Sequence, residues 1–589
     1  MTDPGNIIAD VFIKQNGSDL DADVDARLVH VLVDRSLHLP GYFALTFQFD
    51  NRDLDDIVST AVWDLADTVE IKASPAGETA ETTIMKGEVT AIEPVFMAGM
   101  RGELRVEGYD KMHRLHREKR NATYENVTDS DLASQVAGRH GLSAESDSTS
   151  ITYDHVYQHN QTDMEFIQER ARRIGFFVFV DDATMYFKKA DANLGSAGTL
   201  TWGVNMMSFR PRLRLNDEIE EVEVTGWDRV AKSPISGTKQ ANTGSGMEPT
   251  ASAIGSKSNA SSVGNGKVIV ADDPVRSVQE AEALALGRML EHKGGLLEAE
   301  GKTHDVVTLQ PGLTVTIEGV GAQYGGDYRL TQVTYEWTPG NLTCAFGVHG
   351  YRTQTVTELV SPPPRRQRWP GVVAAVVTDT QDPDKVGRVK VKYSWMTEGE
   401  NSCWAPVVAI GGGGSRGLLA IPHVDDEVLV AFEHGDFNRP YVIGGLYNGT
   451  DQPAGSVGGA AGGEEPLIRA WTSELGHEIG MYDNAGGDKK VELKTADGHV
   501  IIFDDTNKKV ELKTAGGHTI TLDDQGKKLT IKSTGGGNVT VDDNQKKMTV
   551  AGVTQMEIKS DASLKLESKV IDINGTATVN IKGGIVNIN

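Results

Sequence analysis

Two cysteines in 589 residues, Cys344 and Cys403, exclude a disulfide framework or a cysteine-built zinc site within one chain. Aromatic residues are scarce at 6%. No apolar run reaches the length of a membrane-spanning helix. The N-terminal MTDPGNIIADVFIKQ lacks the basic-then-apolar pattern of a signal peptide, so a chain made and kept in the cytoplasm, or released by another route, is expected. Positive charge is also short. The formal net charge of -25 argues against general binding to nucleic acid or an anionic membrane.

What the chain has in plenty is glycine, 65 residues, which favours turns and β-structure over long helices. Its length exceeds what a single core can organise, so several domains are expected. Stretches such as RLVHVLVDR, YFALTFQFD and GELRVEGYD alternate with period two, which predicts an antiparallel barrel or sandwich over residues 1–105. Helical spacing then appears at 128–140, capped by Thr128 or Asp129, and at 162–174, ended by Gly175. FFVFVDDATMYFKK predicts a hairpin turning at Asp181-Asp182. Strands resume at EVEVTGWDRV, and the Ser/Gly/Asn-rich segment 232–267 reads as a flexible loop. A helix is expected over 274–293 with Pro274 at its start, followed by strands through 302–350.

The expected domains are a first barrel or sandwich (1–105), a helix-containing segment (106–205), a second strand-rich segment (206–358), a proline-rich linker (359–370), a strand-rich unit (371–450), a Gly/Ala-rich linker (451–470) and a repeat region (471–589). The repeat region holds 15 lysines, no arginine and 17 acids, so the acid excess lies upstream.

Within that region lysine pairs recur at 489, 508, 527 and 546, and aspartate pairs at 504, 523 and 542, a spacing of 19 throughout. Each unit reads as two short strands joined by Asp, Asn, Gln and Gly turns. Val510, Leu512, Ile520, Leu522, Leu529, Ile531, Val539 and Val541 take alternate places, giving one apolar face. Burying each is worth on the order of 2 kcal/mol, and a lone sheet offers nothing to bury them against. A single-chain β-helix would solve this, and so would several chains sharing one core. The two-strand unit with marked turns favours one wall of a trimeric prism over the β-helix, and an ordinary antiparallel sheet would not need a fixed period.

Three stretches carry a family resemblance. Residues 157–189, YQHNQTDMEFIQERARRIGFFVFVDDATMYFKK, with IEEVEVTGWDR at 219–229, resemble the hub of VgrG spike proteins and of the phage late-control D family. VVTDTQDPDKVGRVKVKYSW at 376–395 and the segment 404–449 resemble the OB-fold of those spikes. The order of hub, OB-fold and β-repeat matches the family along nearly the whole chain. The resemblance implies a mainly β protein with two hub β-barrels and inserted helices, an OB-fold and a C-terminal trimeric β-prism or β-helix. It implies a homotrimeric spike of a contractile injection system, such as a type VI secretion system, an extracellular injection system or a phage tail. Tube, hub and baseplate proteins, a PAAR-type tip protein and carried effectors are the implied partners. Assembly in the cytoplasm and delivery to a target cell are the implied location. Ile585, Val586, Asn587, Ile588 and Asn589, read as exposed final strands, are the expected platform for the tip protein.

Chemistry-bearing patterns are weak. His155 and His159 are four apart but lack a metalloprotease glutamate, and a structural role is expected. His113 and His116 lie in the basic stretch KMHRLHREKR, expected to be a solvated face or a subunit contact. GGGG at 411–414 lacks the lysine of a phosphate loop. Arg388, Lys390, Lys392, Tyr393 and Trp395 could serve an OB-fold that binds single-stranded nucleic acid or sugar, but acids surround them. The Asp–Lys register suggests turns and cross-strand charge pairing rather than calcium sites. No cofactor, metal or catalytic residue is expected. The linkers leave no room for the cell-wall hydrolase that some spikes of the family carry, although a peptidoglycan-hydrolase spike and an OB-type binding module remain the alternatives.

Overall fold

The computed structural model describes residues 9–50, 62–213, 219–240, 266–294, 297–350, 368–453, 468–484 and 487–588. The expected linkers at 359–370 and 451–470 fall mostly outside these ranges. Contacts divide the chain into a unit of Met1–Leu446 and one of Tyr447–Asn589.

The period-two stretches form strands as predicted, but the hub strands do not stay apart. Gln332–Thr338 pairs with Leu28–Ser36, Tyr335 opposite Val33, so strands from both ends of the hub join one eleven-stranded barrel-like sheet. Its core includes Val33, Phe43, Phe47, Ile71, Val106, Val333 and Tyr335. Inward residues alternate along each strand because the pleat alternates.

Two helices interrupt this β-structure, and each is set by a reciprocal cap. In α1, Asp129–Arg139, the Thr128 hydroxyl accepts from Asp131 N–H while the Asp131 carboxylate accepts from Thr128 N–H. In α2, Asp163–Arg173, Thr162 and Glu165 repeat the arrangement. Gly175 follows α2 in the left-handed region, φ 73°, where a Cβ would also strike Leu290. Ahead of these helices, strands β1, Lys119–Thr128, and β2, Thr152–Thr162, pair antiparallel. The hairpin Phe176–Asp181/Thr184–Lys189 closes on Asp182-Ala183, one residue later than expected, with Asp182 at φ 53°.

Two readings are corrected. Helix α3 spans Val278–Lys293 and is capped by Ser277, not opened by Pro274. The Pro274 and Val275 carbonyls are instead taken by Arg173 and Arg439, which keeps that segment out of the helix. Part of the expected 232–267 loop is ordered as well: Ser233–Gln240 pairs along Glu221–Asp228, with Ile235 buried. Residues 241–265 lie outside the described residues.

Buried charge ties the helices together. Arg173, Asp273, Glu280 and Arg288 are all largely buried. Arg173 reaches Asp273 at 2.5 Å and Glu280 at 2.8 Å, and Arg288 reaches the other Asp273 oxygen at 3.3 Å. Arg170 bonds Asp129 at 2.6 Å with its guanidinium 4.2 Å from the Tyr153 ring centre. Burial pushes the Asp163 carboxyl up, but hydrogen bonds from Gln158 and His140 and the Arg139 charge outweigh it and hold it low.

The OB segment is a five-stranded sheet in the order Ala405–Pro406, Arg388–Tyr393, Val372–Asp379, Glu427–Phe432, Pro440–Gly445. Val377, Val389, Val391, Val428, Val430 and Val442 fill its core. Its first long turn is organised by Asp382, which accepts from the Arg388 guanidinium and from the N–H groups of Asp384, Val386 and Arg388. Burial alone would raise its carboxyl, but these donors hold it down at about 2. Because the folded value lies below the unfolded one, this stabilisation is full above about pH 4 and is lost as pH falls toward about 2. Asp382→Ala should cost about 1–3 kcal/mol at neutral pH and clearly less near pH 2, read by chemical denaturation at both pH values. Equal loss at both would show that the charge plays no part.

The C-terminal unit holds a nine-stranded antiparallel meander from Ile468–Thr472 to Lys547–Ala551, each strand pairing with its sequence neighbours. Among the described residues no helix is long and apolar enough to cross a membrane, and no group of three His, Cys, Asp or Glu is placed to hold a metal ion.

Candidate functional site

Two surfaces concentrate the features that the sequence singles out: the seam where the hub meets the OB-fold, and the face of the C-terminal sheet.

The seam is built around Asn438, in the OB turn HGDFNRP. Its side-chain Oδ1 accepts from Tyr157 N–H at 3.0 Å and lies 3.2 Å from His155 Nδ1. Its carbonyl accepts from Arg276 Nη2 at 2.8 Å and from the Cys403 thiol at 3.1 Å. Asp436 Oδ1 accepts from both the backbone N–H and the side-chain amide of Asn438. Strand β2 uses one edge for β1 and turns the other to the OB-fold, which is why the Tyr157 N–H is free for Asn438. Arg439 bonds the Val275 carbonyl, and Arg229 pairs with Glu433 while its guanidinium sits 4.1 Å from the Tyr441 ring centre. The Tyr157 ring belongs to the OB core. Asn438→Ala removes the Oδ1 acceptor that strand β2 meets and leaves the backbone carbonyl in place. It should cost about 1–3 kcal/mol in denaturation and raise amide exchange at Tyr157; unchanged exchange there would mean that the seam does not depend on Asn438.

His155 and His159 both face this seam. His155 is bonded within the fold, and His159 lies among aromatic rings. His113 is half-buried in a 3₁₀ turn, Lys111–His116, with Nδ1 2.7 Å from the Asp110 carbonyl, while His116 is exposed. Burial pushes the Asp110 carboxyl at the start of that turn up to about 7. The basic OB residues are partly engaged within the chain: Arg388 on Asp382 and Asp384, Lys390 3.6 Å from Glu125, Tyr393 in the core. The four glycines 411–414 sit in an exposed loop, closed by a Gly413–Arg416 bridge, that displays Ile410 and Leu419.

The face of the C-terminal sheet follows from register. Val510 stands opposite Leu522, and Leu512 opposite Ile520. Ile520 faces Ile531 and Leu522 faces Leu529; those two in turn face Val539 and Val541. All eight predicted residues therefore lie on one face in two columns. The columns run on through Phe503, Val491 and Met481 and through Ile501, Leu493 and Ile479. In one chain this face stays open: Leu522 is 47% exposed and Ile531 45%. An unfilled trough of about 430 Å³ lies along Leu512, Ile520, Ile531, Val539 and Val550.

The opposite face explains the doublets. One column reads Lys490, Asp504, Lys509, Asp523, Lys528, Asp542, Lys547 from strand to strand. Thus the first aspartate and the second lysine of each doublet are cross-strand partners, with Lys528 3.2 Å from Asp542. The first lysine, at 508, 527 and 546, occupies the turn at φ near 50°. The same aspartates cap the turns, accepting from Asn507, Gly526 and Gln545 N–H.

The tip residues differ from expectation. Beyond Ala551 the described residues form no strand, and Ile585, Val586, Asn587 and Ile588 are exposed. A strand needs a ladder partner, and one chain supplies none there. Asn589 lies outside the described residues.

Comparison with known proteins agrees with this architecture. The family model of the type VI secretion system/phage-baseplate injector OB domain matches residues 373–447. A second model, the Alg8 N-terminal domain, matches residues 62–338. The chain is 29% identical over 182 residues to the type VI secretion system spike protein VgrG1b of Pseudomonas aeruginosa, covering 28% of this chain and 24% of the relative. It is 43% identical over 91 residues to VgrG5 of the same organism, covering 14% of this chain and 12% of the relative. The chain thus aligns with about a quarter or less of the length of these relatives. The fold is similar to that of a Francisella PdpA-VgrG complex in its lidded form, with TM-score 0.50, 9% identity, and coverage of 86% of this chain and 80% of that one. A hub sheet, an OB-fold and a repeat sheet thus occur together in one chain. In sequence the chain is similar to the VgrG spike proteins.

Proposed function

We propose that the protein is a non-enzymatic, homotrimeric spike of a contractile injection system, joining the inner tube to the piercing tip. The observation that supports this most is the two-column apolar face of the C-terminal sheet, regular over at least four repeats and unburied in one chain. Three such sheets packed face-inward would bury it completely. The domain boundaries given above, with the repeat region as shaft, are part of this reading. The residues that form the shared core are Val510, Leu512, Ile520, Leu522, Leu529, Ile531, Val539 and Val541. Ile410 and Leu419 of the OB loop add apolar surface for the same assembly. The chain end, Ile585–Asn589, takes its strand partners only in the trimer and there receives a PAAR-type cap, with effectors carried on it. Assembly is in the cytoplasm, and delivery to a target cell is mechanical. Mass measurement of the full chain in solution tests the reading: a three-chain species is expected, and a stable single chain overturns it. Zymography on peptidoglycan tests the non-enzymatic part; clearing would overturn it.

A further inference from the structure

Strand β2 carries two imidazoles into the hub–OB seam, and among the described residues neither is bonded to a carboxylate. His155 is buried, with Nε2 3.0 Å from the Asn401 carbonyl and Nδ1 3.2 Å from Asn438 Oδ1. The orientation of the Asn438 amide is fixed, since Oδ1 accepts from Tyr157 N–H and Nδ2 donates to Asp436. A neutral ring has one N–H and so serves one of its two acceptors. His159 sits in an aromatic box, its ring centre 4.2 Å from Phe437, 5.3 Å from Trp395, 5.9 Å from Tyr157 and 6.1 Å from Trp369. Its buried Nδ1 has no hydrogen-bond partner among the described residues.

The charges around the seam are close to balanced. Arg276 approaches from the segment before α3 and already spends its guanidinium on the Asn438 carbonyl. Arg439 and Arg229 come from the OB turn and the hub, with Glu433 between them. Glu125 on β1 and the exposed Asp154 on β2 are the opposing acids, Asp154 lying 3.9 Å from Arg276. Asp436 is engaged by Asn438, and burial raises the Cys403 thiol, which keeps it neutral. Burial pushes His155 below its ordinary 6.5, outweighing its bonds to Asn401 and Asn438, and burial lowers His159 in the same way.

We propose that the seam is an acid-opened coupling, in which protonation of His155 and His159 releases the OB-fold from strand β2. The sign follows from linkage. In the open seam both rings meet water and bind protons more tightly than when sealed, so acid favours opening. With two protons taken up, opening grows by up to about a hundredfold per pH unit between the sealed values and about 6.5, and levels off below. Cation–π attraction within the aromatic box opposes this, and where it dominates, acid tightens the seam.

The test is amide exchange on the full chain, corrected for the intrinsic pH dependence of exchange, between about pH 7.5 and about pH 5. Protection at Tyr157 and across residues 434–440 should fall at least about tenfold on acidification, while α2 keeps its protection. The double variant His155→Gln with His159→Phe should abolish the fall, since Gln can still donate to Asn401 and Phe keeps the box filled. If the double variant does not fold, His159→Phe alone should reduce the fall to about its square root, one proton remaining. Protection in the wild type that stays flat or rises with acid overturns the proposal. So does an equal fall in the variant, or a fall that includes α2.

Discussion

Leu522→Asp should convert the three-chain species into single chains. Leu522 faces Val510 and Leu529 across the sheet, in the middle of the apolar columns, and stands 47% exposed in one chain. In a closed prism each copy would place a carboxylate in a shared dry core, where an unpaired charge costs several kcal/mol and the lost leucine about 2 kcal/mol more. Three copies compound the loss in every assembly. Thr530→Glu, on the opposite face between Thr521 and Thr540, should leave the mass unchanged. Light scattering or native mass spectrometry gives the answer. A Leu522→Asp protein that keeps the three-chain mass would mean that this face is not the shared core.

Arg173→Met should be the most damaging single change within the hub. Among the described residues it takes from Glu280 its one side-chain cation within bonding distance, and it removes a cation from Asp273, all in a buried site. Breaking such a pair costs about 3–5 kcal/mol. Burial tends to raise the Glu280 carboxyl, but Arg173 and the Arg276 N–H hold it below its ordinary 4.5. The stabilisation is therefore present above about pH 4.5 and lost as pH falls below it. The gap between wild type and variant should be widest near neutrality and narrow in acid, as read by denaturation followed through tryptophan emission. A gap independent of pH would assign the loss to packing rather than charge.

Local signals in the sequence led to local structure. Thr128 with Asp131 and Thr162 with Glu165 announce two helices because a cap acts within four residues. The register of the repeats places eight apolar side chains on one face because a strand alternates with period two. Closure of the hub was not legible: the pairing of Tyr335 with Val33 spans some three hundred residues and leaves no mark on either strand. Ser277 outcompetes Pro274 as a helix start because distant arginines claim the carbonyls at 274 and 275, which no local reading reveals. The role of Asn438 was likewise hidden. Its motif, GDFNRP, reads as an ordinary turn, and only the approach of β2 turns its amide into a joint. A polar residue set between Phe437 and Pro440 was the one available hint.

The neighbour-to-neighbour pairing of the C-terminal meander has a kinetic consequence. Every strand from Ile468 to Ala551 finds its partner within about twenty residues, so loop closure there is cheap and the sheet can form quickly. The hub sheet must wait for contacts between residues near 33 and near 335 and should form more slowly. On refolding of the full chain, where hub and meander start together, the apolar face would then be displayed before the hub is complete. In the assembly proposed above, refolding chains would therefore meet first through their shafts.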